Sequence, residues 1–76
     1  MGLTNEDKIL TAFGKRVAEL RRKYNYTQEG LAEKAGITAH SLAFIEQGRR
    51  WPRLKTLHKL ARAIGVNTDE LFKGLR

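Results

Sequence analysis

With 76 residues, no cysteine and one proline, the chain is long enough for one small domain, too short for two, and holds neither a disulfide framework nor a thiolate metal site. Its formal net charge of +7 and isoelectric point near 10.3 favour a polyanionic partner, because lysine and arginine gain by displacing counterions condensed on phosphates. No apolar run approaches the ~18 residues of a membrane helix and the acidic opening MGLTNEDK lacks the regions of a signal peptide, so a cytoplasmic protein with no membrane span is expected.

Residues 1–4 read as a short N-terminal arm, and residues 5–76 as a single domain. Leu10, Phe13, Val17, Leu20 and Tyr24 recur at alternating spacings of three and four, which predicts a first helix from about 5 to 24 with one apolar stripe. Thr4 or Asn5 is placed to cap it, with Asp7 near the positive end of its dipole. Thr27 caps a second helix that puts Leu31, Ala32 and Ala35 on one face, and Gly36 stops it, since glycine accepts the left-handed backbone that reverses the chain. Ile37 follows as an apolar plug. Thr38 then caps a third helix whose inward positions are Leu42 and Ile45, closed by Gly48.

Pro52 breaks the chain before Leu54, Leu57, Leu60, Ala61 and Ile64, a second 3.6-period stripe ended by Gly65. Asn67 with Glu70 three residues on resembles a capping box and predicts a short fifth helix carrying Leu71, Phe72 and Leu75. No repeat and no period-2 alternation argue for anything but an all-α, five-helix bundle.

Two short helices joined by a tight glycine turn, TQEGLAEKAGITAHSLAFIEQG, form a helix-turn-helix pattern. Together with FGKRVAELRRKYNYTQEGLAEKAGIT, SLAFIEQGRRWPRLKTLHKLARAIGV and NTDELFKGL, it makes residues 13–75 resemble the XRE-type helix-turn-helix family of phage repressors, Cro proteins and restriction-modification controller proteins. The resemblance implies a compact lambda-repressor-like DNA-binding domain with the motif in helices 2 and 3. It departs from the family pattern at Gly30, where a capping-box Glu is usual, at Arg53, where Ser or Thr often caps helix 4, and at Phe44, where a polar residue is common.

In helix 3, Ala39, His40, Ala43, Phe44 and Gln47 share the face opposite Leu42 and Ile45, the face a major groove would meet. His40 is a donor for guanine or phosphate, Ala39 and Ala43 fit thymine methyls, and Phe44 offers apolar contact. The competing placements are a solvent-exposed His40 and a Phe44 packed under helix 4 or a partner. Gln28, at the positive end of helix 2, together with Thr38, Gln47, Arg49, Arg50 and Arg53, makes up the expected contacts to the DNA backbone. Arg53 at a capping position costs about 1 kcal/mol, a hint of another use that weakens if Pro52 is the first helical residue. Arg21 and Glu46 match the family's shielded ion pair between helices 1 and 3, a structural role. Trp51 has three readings: cover over helix 4, a stack on a sugar, or a dimer contact. His58 reads as a surface residue.

The function so implied is sequence-specific binding of double-stranded DNA by a homodimer, with two recognition helices about 34 Å apart on a palindromic operator, as a repressor or an activator. The alternative is an antitoxin or adaptor that uses an apolar helix 3 face, Phe44 and the two alanines, to bind protein. No cofactor, no metal and no enzymatic activity are expected: cysteine is absent, the two histidines stand on different helices, and no glycine-rich phosphate loop appears.

Overall fold

The computed structural model describes residues 4–75. Four α-helices follow one another, α1 (Asn5–Lys23), α2 (Gln28–Ala35), α3 (Ala39–Glu46) and α4 (Leu54–Ile64), and a 3-10 helix (Thr68–Phe72) closes the fold. Strands are absent among the described residues. Residues 1–3 of the expected arm lie outside that range, and Thr4 itself caps α1 in a complete capping box. Its Oγ1 accepts the Asp7 N–H at 3.0 Å while an Asp7 carboxylate oxygen accepts the Thr4 N–H at 3.1 Å.

Thr27 and Thr38 repeat the device on a smaller scale, their hydroxyl oxygens accepting from the Gly30 and Ser41 amides at 2.9 and 3.0 Å. With glycine at position 30 there is no side chain to complete a reciprocal box. α2 ends at Gly36 in left-handed backbone (φ 74°), and the Ile37 amide turns back to the Ala32 carbonyl, a Schellman ending that tucks Ile37 against the core.

The core is made of Phe13, Val17 and Leu20 from α1, Leu31 from α2, Leu42 and Ile45 from α3, Leu60 from α4 and Leu71 from the 3-10 helix. α1 lies across α3 and the 3-10 helix, while α4 covers α2. Helices of eight residues, such as α2 and α3, are unstable alone, so burial against α1 and α4 holds them. Two glycines admit the closest approaches. A β-carbon on Gly14 would stand 2.5 Å from the Ile45 carbonyl oxygen, and one on Gly48 would stand 2.8 Å from Thr11 Cα.

Three expectations require correction. The fifth helix is a 3-10 helix rather than an α-helix, because Asn67 makes no side-chain cap and Glu70 is drawn across to α1. Arg16 Nε donates to the Glu70 carbonyl at 2.9 Å and Arg16 Nη2 to its carboxylate at 3.2 Å, leaving the i→i+3 bond from Glu70 N–H to Asn67 O. Tyr24 leaves the apolar stripe and is 42% exposed, since α1 ends at Lys23 and Asn25 turns the chain at φ 64°. Leu54 is 79% exposed: as the first residue of α4 it points to solvent, and the buried stripe starts at Leu57.

Candidate nucleic-acid interface

The α2–α3 pair is carried on a polar hub. Arg21, on the last turn of α1, donates through Nε to Glu46 Oε2 at 2.7 Å and through Nη2 to Glu46 Oε1 at 3.0 Å, a two-pronged pair with side chains only 11% and 5% exposed. Its third nitrogen, Nη1, donates to the Tyr26 carbonyl at 2.9 Å. Gln28 Nε2 donates to Glu46 Oε1 at 3.0 Å. One carboxylate at the end of α3 therefore gathers α1 and the start of α2, and no buried polar side-chain atom among the described residues lacks a partner. Gln28 is held with one amide N–H committed to Glu46 and a second unpaired among the described residues, beside backbone amides of the first α2 turn that have no intrahelical acceptor.

On the outer face of α3 the expected base-reading residues differ in exposure. His40 is exposed, Ala43 and Phe44 are half-buried, and Ala39 packs on the core at the seam with α2. Ala39 thus belongs to the edge of the face rather than its crest. The His40 and Phe44 rings, one helical turn apart, have centroids 4.4 Å apart, and the Arg49 guanidinium carbon lies 5.1 Å from the Phe44 centroid. Phe44 is therefore not part of the buried core. Gln47 is exposed at the end of α3, and Thr38 is exposed with its oxygen occupied by the Ser41 amide.

The following loop is basic and pinned. Gly48, at φ 70°, and Arg49 close α3 with a Schellman ending, Gly48 N–H to Ile45 O at 3.1 Å and Arg49 N–H to Phe44 O at 3.0 Å. Trp51 stacks on Phe13 with centroids 5.2 Å apart, so it fastens the loop to α1, and none of its three expected readings named that partner. Arg53 occupies the N-cap of α4 with no side-chain cap bond, Pro52 precedes it, and Leu54 is the first helical residue. Arg50 and Arg53 share the wall of an open recess with Ser41 and Thr56, two hydroxyls that belong to no motif in the chain and are brought together only by the fold.

The helical fold is shared with known proteins. The family model described as helix-turn-helix, HTH_3, matches residues 17–71. The chain belongs to this XRE-type helix-turn-helix family. An HTH-type transcriptional regulator of Archaeoglobus fulgidus is 39% identical over 57 residues, which cover 75% of this chain and 81% of that protein. The regulator y4dJ of Sinorhizobium fredii is 41% identical over 58 residues, 76% of this chain and 75% of that one. Among solved structures, the restriction-modification controller protein C.AhdI from Aeromonas hydrophila superposes with a TM-score of 0.81 at 36% identity, covering 83% of this chain and 96% of C.AhdI. The family is one of transcriptional regulators with a helix-turn-helix DNA-binding domain. No described helix is long and apolar enough to cross a membrane.

Proposed function

We propose that residues 5–76 act as one sequence-specific DNA-binding domain, with α2 and α3 as the helix-turn-helix and α3 as the recognition helix. The observation that carries this reading is the outward face of α3, where His40, Ala43 and Phe44 stand free of the core, followed immediately by Arg49, Arg50 and Arg53. Such a face combines donors and a methyl group for base edges with cations for phosphate. His40 donates to a base acceptor, Ala43 meets a thymine methyl, and Gln28, Thr38, Gln47 and the three arginines hold the backbone. Two copies place two α3 helices about 34 Å apart, which fits a palindromic operator and control of transcription by occlusion of a promoter. The similarity to a restriction-modification controller protein supports regulation in the cytoplasm, at the nucleoid. The hub of Arg21, Glu46 and Gln28 supplies the rigidity such reading needs.

The decisive experiment is selection of bound sites from a random duplex library, with the mass of the complex measured by light scattering. Two inverted half-sites one helical turn apart, bound by two chains, are expected. A single half-site, or no enrichment with affinity insensitive to salt, overturns the reading and favours a protein-binding adaptor.

A further inference from the structure

We infer that Phe44 is a positioning residue: its ring is the platform that aligns the base-reading His40 and the phosphate-holding Arg49 as one unit, and it reads no base itself. This rests on the proposal that α3 enters the groove.

Three features of the structure carry the inference. His40 and Phe44 are separated by one helical turn, and their rings touch at a centroid distance of 4.4 Å with a 47° tilt, a geometry favourable to aromatic pairs. The Arg49 guanidinium lies against the same ring at 5.1 Å, in cation–π range. The backbone enforces this second contact, because the Schellman bond from Arg49 N–H to Phe44 O delivers Arg49 to the residue it caps. A Schellman ending is commonly sealed by an apolar contact between these two positions, and here the arginine side chain takes that place on the ring. Gly48 makes the turn at φ 70°, and a β-carbon there would stand 2.8 Å from Thr11 Cα, so the turn is packed closely on α1.

Two polar side chains, the His40 ring on the helix and the longer, more flexible Arg49 on the loop, are thus presented together. Ordering them before binding removes part of the entropic cost of association. A Phe44 ring so engaged offers little open face to a thymine methyl. His40, a donor in the groove, points to a guanine acceptor in the half-site, with Arg49 on the adjoining phosphate.

The test uses Phe44→Met, which keeps the apolar volume but removes the aromatic face, and Phe44→Tyr, which keeps the face. In the free protein, the His40 ring-proton signals are displaced by the Phe44 ring current. Phe44→Met should return them to positions typical of an exposed histidine at unchanged melting temperature, and Phe44→Tyr should not. On the selected operator, Phe44→Met should weaken binding roughly five- to tenfold, the scale of one lost stacking contact. Phe44→Tyr should restore it, and adding Phe44→Met to a His40→Ala, Arg49→Ala double variant should weaken binding little further. Replacing every half-site thymine by uracil should leave the effect of Phe44→Met unchanged. Unaltered His40 signals in Phe44→Met, or uracil substitution that abolishes the difference between parent and variant, overturns the inference. Since the His40 signals are read without DNA, failure of DNA binding altogether counts against the function alone.

Discussion

Gly14 of α1 backs directly onto the carbonyl oxygen of Ile45 in α3, so closely that a β-carbon at position 14 would stand 2.5 Å from Ile45 O and 2.7 Å from Glu46 O. A glycine in the middle of a 19-residue helix costs about 1 kcal/mol against alanine, and here that cost permits α1 and α3 to meet backbone to backbone. Gly14→Ala should therefore lower stability by about 1–3 kcal/mol despite its better helix propensity, a fall of several degrees in a thermal melt. A melt unchanged or raised would show that α3 yields at no cost.

The hub at Glu46 should behave as one unit. Glu46→Ala leaves the Arg21 guanidinium, in a side chain 11% exposed, without its carboxylate, and should cost about 3–5 kcal/mol. Arg21→Ala should cost a similar amount, and the double variant much less than the sum, because the charges are lost together. Denaturant titration of the four proteins measures the coupling. Gln28→Ala should change stability little, since Arg21 alone still satisfies both Glu46 oxygens.

Acid should weaken the cap at the start of α1. The Thr4 hydroxyl and then the Thr4 backbone N–H hold the Asp7 carboxyl below its ordinary value of 3.8. A lowered folded-state pKa means the ionised form favours the native state: the stabilisation is present above about 3.8 and is lost as the pH falls through the folded value. Asp7→Asn should therefore flatten the acid limb of the stability profile in that window and leave the neutral limb with a uniform offset. An acid limb identical in the variant and the parent would remove Asp7 from the account.

For DNA binding, Arg50→Ala should weaken all sequences alike and reduce the slope of log affinity against log salt by about one per protomer, since a phosphate contact carries no base information. A change of preference at one operator position, with the slope intact, would move Arg50 from the backbone to a base.

Local chemistry was legible in the chain itself. Caps at Thr4, Thr27 and Thr38, left-handed stops at Gly36, Gly48 and Gly65, and the stripes through Phe13, Val17, Leu20 and through Leu57, Leu60, Ile64 depend on interactions within a few residues, so spacing and residue type determined four helices and the exposed face of α3. What depends on distant partners was decided only by packing. Glu70 could have completed a cap with Asn67, but Arg16, 54 residues away, claims it and leaves a 3-10 helix. Trp51 found Phe13, Gly14 found the end of α3, and Phe44 acquired His40 and Arg49, the last through the Schellman turn at Gly48. The sequence thus determined which helices form and which faces stay polar, because hydrogen-bonded caps and helical periodicity are local. Tertiary structure decided how the reading face is braced, because a guanidinium, a carboxylate or an aromatic ring takes whichever partner the folded chain brings within a few ångströms.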